Sequence, residues 1–454
     1  MNTIQKRNTS LFRQPRHSNW FSQLVVQSTT TKLVWSIGVL AWLLSGCNPD
    51  QINNGPVPDI LVTATTSEAI QAAIDAAPPT GAHIILPPGD YQATARVNLT
   101  NKNRITIDGQ GTANWIGSST VPNLFAVLGT CQTIRLTGIN FSTTAGPGSY
   151  QYGLICTFEQ SFIDGYEIDH CRFTAPNAPI NLIYFLPFSP LNESGNGRGA
   201  MQRNINIHHC VATNGGRAFC EVNSHVHADG RTEGFFERFR FSHNTVTNMG
   251  TQDASFGPAL SMSGMASQIV VDSNQITDTK YCGLEFVNSQ QVSSTGNRIQ
   301  GTQTVFSAYA FTRAGTGKNT DIALRDNSGS VKGRAYILHD IESFSVTGDV
   351  FTAEQKVELI RARKGTLNQL ALSVSSDANA MLLVESQDIS LTNSTLRITH
   401  AVNAASLIVI PGSSRGIVVR DNKLARPAGA SGLFIQSEAS SGNTIGPNVE
   451  QLLN

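Results

Sequence analysis

The chain has 454 residues, of which only 14% are charged, and its 32 Lys and Arg balance its 32 Asp and Glu. That balance excludes a binder of nucleic-acid backbones, which needs clustered basic charge, and a disordered chain, which combines low hydrophobicity with high net charge. With 39 Gly and 18 Pro it is no coiled coil either, and a polar surface built from Ser, Thr, Asn and Gln suits the cell exterior.

The first residues carry Lys6, Arg7, Arg13, Arg16 and Lys32 with no acidic side chain, and an apolar run from Leu33 to Leu44 follows. The run is too short for a bilayer-spanning helix, which needs about 20 residues, and has the length of a secretory h-region. It ends in Leu44-Ser45-Gly46-Cys47, which resembles the lipobox of bacterial lipoproteins. The resemblance implies a signal peptide over 1–46, a lipid on Cys47 and membrane attachment through it. Residues 47–59 are rich in Pro, Gly and Asn and read as a flexible tether. Asn48 follows the Cys where an Asp would signal retention in the inner membrane, so the resemblance implies the bacterial outer membrane.

From about residue 60 to 454 the chain reads as one domain. Residues 67–77 predict a short helix with Ile70, Ala73, Ile74 and Ala77 on one face. Thr65 and Glu68 stand at capping-box spacing and Pro78-Pro79 stop it. Beyond it recurs an octet: apolar, x, apolar, x, x, small or amide, x, apolar. Ile269 to Ile276 and Ile417 to Leu424 are the clearest copies. The sixth positions of the ten copies carry Ile139, Cys171, Cys210, Asn244, Asn274, Asn297, Asn327, Asp349, Ser394 and Asn422. Copies recur every 20 to 40 residues or so, the range of solenoids. A second apolar run lies between octets, as in Gly283 to Val287, and no helix-length segment separates the copies, which excludes βαβ units. Units this short bury an apolar face only by stacking.

The repeats resemble those of right-handed parallel β-helices, and the resemblance implies an all-β, single-stranded solenoid of that kind, its sixth-position residues stacked as an asparagine ladder and its first coil covered by the helix. The string IQAAIDAA…IILPPGDY…ITIDGQG (70–111) resembles the N-terminal part of the pectate-lyase superfamily. The resemblance implies this fold and cap. It does not select an activity, because that superfamily includes lyases, hydrolases, epimerases, tailspikes and silent members. Ile168-Asp169-His170 looks like the pectate-lyase IDH tripeptide but begins an octet, and neither an Arg-rich lyase motif nor polygalacturonase motifs are present. No catalytic residue is carried over.

Candidate chemistry lies in the first half, where long loops are expected over 174–204, 223–238 and 248–258. Tyr184 and Phe188 on the first are candidates for stacking on sugar faces, with Arg231 and Lys280 as further substrate-binding side chains. His225 and His227 alternate about Val226, so in an extended segment both imidazoles face one side. They are candidate catalytic bases or, with Glu221 or Asp229, metal ligands, or else members of a solvated loop. Repeat alignment places Glu221 and Glu285 at equivalent outward positions two rungs apart with Ser261 between, a separation suited to inverting glycoside hydrolysis. Lyase chemistry would instead use a base and a cation drawn from His225, Lys280 and Arg313. No cofactor is required by any motif, although Ca²⁺ would suit a lyase. Cys171 and Cys210 share the ladder position on successive coils, either as a disulfide or as small buried fillers. The expected partner is an extracellular polysaccharide, cleaved by lyase or inverting hydrolase chemistry. The alternative is a non-catalytic glycan-binding or adhesive surface protein.

Overall fold

Each lap of the chain is three strands long, and each strand pairs in parallel with its counterparts one lap before and after. The computed structural model describes residues 55–453 except 148–152, 159–160, 187–201, 224–235, 254, the side chain of Met265, 302–306, 314–316, 376–378, 401–405, 429–431 and 439–441. One lap comprises β1 (Cys220–Asn223), β2 (Phe236–Ser242) and β3 (Thr245–Met249), and the next continues through Leu260–Asp272. The described residues form 38 strands, all paired in parallel, in a right-handed β-helix over the unit Val57–Asn454. Three continuous sheets result. The first holds the opening half of every octet, in the register Phe239, Ile269, Val292, Ile322, Phe344. The second holds the close of the octet, and the third holds the run between octets.

The bend between the first two sheets explains the sixth-position pattern. The residue before it takes the left-handed conformation: φ is 52° at His209, 55° at His243, 57° at Ser273, 65° at Gly296 and 53° at Asp326. This turns the next backbone N–H toward the interior, where it needs an acceptor. The Asn of the following coil supplies one. Asn244 N donates to Asn274 Oδ1 at 2.9 Å, Asn274 N to Asn297 at 3.0 Å and Asn297 N to Asn327 at 3.0 Å. Each Nδ2 in turn donates to a carbonyl of the coil before, as Asn274 does to Phe241 O at 2.8 Å. An amide supplies both an acceptor and a donor at this length.

Cys171 and Cys210 extend the ladder as free thiols, and the six described cysteines are all buried with no disulfide among them. The small-filler alternative is therefore the one the fold uses. At the other end Asp349 accepts from Asn327 N at 2.8 Å and from the Tyr336 hydroxyl. A coil over 365–372 that the octet pattern does not reveal follows, with Leu370 at the ladder position. The file then resumes through Ser394, Asn422 and Asn448.

The helix α1 (Ser67–Ala76) lies where expected, but its N-cap is Thr66, whose Oγ1 accepts from Ala69 N at 3.2 Å, and not Thr65. Ile70, Ala73 and Ile74 are buried. Gln71 accepts from Asn98 N at 2.8 Å and donates to Asn98 O at 3.0 Å, so the helix satisfies backbone groups on the free edge of the third sheet.

Two outcomes test the ladder. Asn274→Ala leaves the inward N–H of Asn244 without its acceptor and should cost about 2–4 kcal/mol in denaturant unfolding. Burial raises the Asp349 carboxyl from 3.8 to about 6. The neutral form is the one the fold favours, so its contribution is complete below the unfolded value and fades as pH climbs through about 6. Asp349→Asn should flatten that part of the pH–stability profile and leave the protein more stable than the parent at pH 8.

Candidate active site

The outer face of the third sheet carries one file of side chains in strict register. Tyr184 pairs with Glu221, Glu221 with Ser261, and Ser261 with Glu285. At about 4.8 Å per rung, the two Glu Cα atoms lie about 9.5 Å apart. Both acids are buried, at 4% and 6% exposure. Glu221 Oε2 accepts from Asn181 Nδ2 at 2.7 Å, and Arg217 Nη2 stands 3.7 Å from the same oxygen. Glu285 accepts from the hydroxyls of Ser261 and Tyr281.

A second stack runs beside the acids, in the turn leading into each strand of the third sheet. Arg217, Phe256 and Tyr281 come from three successive coils. The Arg217 guanidinium carbon sits 4.4 Å from the Phe256 ring centroid, and Phe256 stacks on Tyr281 at 6.1 Å. The segment after β3 folds back to place Phe256. Gly250, at φ 81°, starts the reversal. Thr251 Oγ1 and Gln252 Nε2 then donate to Pro176 O at 3.0 and 2.9 Å. Arg217 is thus held by a ring on one side and a carboxylate on the other.

Burial raises the Glu221 carboxyl, and the Glu285 charge adds to the rise, while Arg217 and Asn181 oppose it. Burial also raises Glu285, against hydrogen bonds from Ser261 and Tyr281 and, last, the charge of Arg217. Tyr281 is pushed up to about 12, first by burial and then by Glu285. Two acids that disfavour joint ionisation, with a cation nearer one of them, suit a division of labour in which one holds a proton and the other accepts one.

Other candidates fall elsewhere. Tyr184 is not on a loop. It belongs to the strand Asn181–Phe185 and is 6% exposed, packed with Ala126, Cys156 and Leu186 in an apolar cluster on the outside of the sheet. It borders the acids as packing and offers no open ring to a sugar. Phe185, on the opposite face of the same strand, is in the core. Lys280 precedes Tyr281 and lays its aliphatic stem against Gly250. Arg313 lies beyond the far end of its strand, 3.6 Å from Asp340, whose carboxylate also takes two hydrogen bonds from Arg361. It is not brought to the glutamates. Phe188, His225, His227, Arg231 and Cys47 lie outside the described residues.

Since both acids have folded-state pKa values above their unfolded ones, their neutral forms favour the fold, and that contribution is lost as pH rises through the folded values. Glu285→Gln should therefore raise the melting temperature at pH 8 relative to the parent, and the difference should vanish near pH 4.

Among solved structures the chain is similar to PfbA, a surface adhesin of Streptococcus pneumoniae, with 14% identity and a TM-score of 0.53 over 83% of this chain and 90% of that one. It is similar also to a tailspike protein double mutant of E. coli bacteriophage HK620 in complex with a pentasaccharide, with 13% identity and a TM-score of 0.50 over 84% and 74%. No family model matches the sequence, and no curated protein does. What these likenesses establish is the fold, a parallel β-helix.

Proposed function

We propose that this protein binds an extracellular polysaccharide along the outer face of its third sheet and hydrolyses it with inversion, using Glu221 and Glu285 as the acid–base pair. The observation that carries the reading is the pair itself: two buried carboxyls in one file, two rungs apart, each raised by burial and coupled by charge. The two-rung spacing, about 9.5 Å between their Cα atoms, leaves room for a water between acid and base, as an inverting pair needs. The hydroxyls of Ser261 and Tyr281 donate to Glu285 and favour its ionised form, and the charge of Glu285 raises Glu221, so Glu285 is the base that activates water. Glu221, raised by burial and by that charge against the opposing Arg217, keeps the proton that the leaving oxygen takes. Tyr281, 39% exposed and backed by Phe256, gives a ring beside the pair on which a sugar face can lie.

Non-catalytic glycan binding is the second reading. It is favoured by the burial of both acids, each already engaged by neighbouring donors. The pentasaccharide-bound tailspike of similar fold named above accords with a glycan partner under either reading. The lipobox-like Leu44-Ser45-Gly46-Cys47 adds a lipid anchor to the proposal, with the protein held at the outer membrane. Cys47→Ser should then move it from the membrane fraction to the soluble fraction.

The test is a polysaccharide panel read for new reducing ends, for unsaturated products and for the anomer first released. Hydrolysis predicts reducing ends of inverted anomer, and either Glu221→Gln or Glu285→Gln should lower kcat about 10²–10⁴-fold while binding persists. Unsaturated ends would point to lyase chemistry. Binding without turnover, weakened by Phe256→Ala but not by Glu285→Gln, would establish the second reading.

A further inference from the structure

A different face of the molecule gathers four imidazoles. His170, His209 and His243 occupy the same left-handed turn position on three successive coils, with φ of 52°, 52° and 55°. Their rings stack nearly parallel, with centroids 5.2 and 4.9 Å apart. His208 lies on the outer face of the first sheet beside Asp169, and its ring stands edge-on to that of His209, at 85° and 5.1 Å. His208 Nε2 is 2.8 Å from Glu167 Oε1, and its Nδ1 is 2.8 Å from the Nδ1 of His209.

These contacts fix the tautomer of His208. A carboxylate accepts only, so Nε2 of His208 carries the proton and donates it to Glu167. The Nδ1 lone pair then points at His209. This is the arrangement in which an outer carboxylate orients a metal-binding imidazole. In the metal-free protein His209 Nδ1 donates to that lone pair; a metal ion takes the place of this proton, which moves to the exposed Nε2 or to solvent and frees a second Nδ1 lone pair. We propose that the Nδ1 atoms of His208 and His209 form a two-nitrogen site for a tetragonal divalent transition cation, Cu²⁺ or Ni²⁺, with Glu167 as the orienting carboxylate.

The bite decides the class of ion. With metal–imidazole bonds of about 2.05 Å, two nitrogens 2.8 Å apart subtend about 86° at the ion. A tetrahedral ion would want them roughly 3.3 Å apart at the same bond length. Near-square angles belong to tetragonal Cu²⁺ and Ni²⁺. Hard cations are poorly served here because the carboxylates are already occupied. Arg135 Nε lies 2.7 Å from Asp169 Oδ2 and 3.6 Å from Glu167 Oε2, and Thr137 and His170 also bond Asp169. None of this depends on the glutamate file, which lies on another sheet.

The full-length protein, freed of metal by chelation and dialysis, is titrated with Cu²⁺ against a glycine competitor and followed by calorimetry and electron paramagnetic resonance. His208→Gln keeps a donor for Glu167 without the ligand. His209→Asn tolerates the left-handed turn. The expected result is one Cu²⁺ with splitting from two nitrogens, bound at least about 10-fold more weakly by either variant. His243→Asn should leave the affinity within about threefold, and excess Ca²⁺ should not compete. Absence of stoichiometric Cu²⁺ binding by the parent overturns the proposal, and so does a folded His208→Gln/His209→Asn double variant that binds as the parent does.

Discussion

Every lap of this solenoid must turn a corner, and the corner exposes one inward N–H that no strand can satisfy. From Cys210 to Asn327 the side chain of the next lap answers it, so each of these coils is hydrogen-bonded to its neighbour at an interior point as well as through three ladders of backbone. Asn244, Asn274, Asn297 and Asn327 do this with an acceptor and a donor apiece. The consequence is registry. A one-residue slip would remove the amide from the corner and also turn the core face of each strand outward, so the stack admits one alignment.

Registry is what assembles chemistry from residues far apart in sequence. Glu221, Ser261 and Glu285 are neighbours because their strands are, and Arg217, Phe256 and Tyr281 are neighbours because the turns before those strands stack too. The same rule lines up His170, His209 and His243 on another side. A β-helix repeats its scaffold exposing a different side chain at each rung, so sites arise as columns. The burial that raises the two glutamates is a local cost carried by a large, well-satisfied core.

Much of the fold is legible in the sequence because the constraint at the corner restricts residue type. Amides and small residues at octet position six, with apolar residues at one, three and eight, mark the laps. The lap that escapes the pattern shows why legibility stops. Gly365 stands where an apolar side chain is expected because the Phe344 ring fills that space, and an added Cβ would lie 2.1 Å from it. Packing across laps overrides the pattern within one. Tyr184 reads as a loop aromatic because the run around it is short, yet Asn181–Phe185 is a strand with both faces covered. The glutamate file follows from strand alignment alone. Arg217 and Tyr281 precede their file members by four residues and Phe256 by five, an irregularity that hides the flanking stack until the turns are seen.

The central claim is that Glu221 and Glu285 titrate as a coupled, buried pair. Carboxyl carbon shifts of ¹³C-labelled glutamate, followed by nuclear magnetic resonance across pH 3 to 9 in the parent and in Glu285→Gln, test it directly. The account predicts that both carboxyls titrate above the usual 4.5 in the parent, and that Glu221 moves downward once its partner can no longer ionise. Ordinary titration of both acids, or a Glu221 curve unmoved by the substitution, would contradict it.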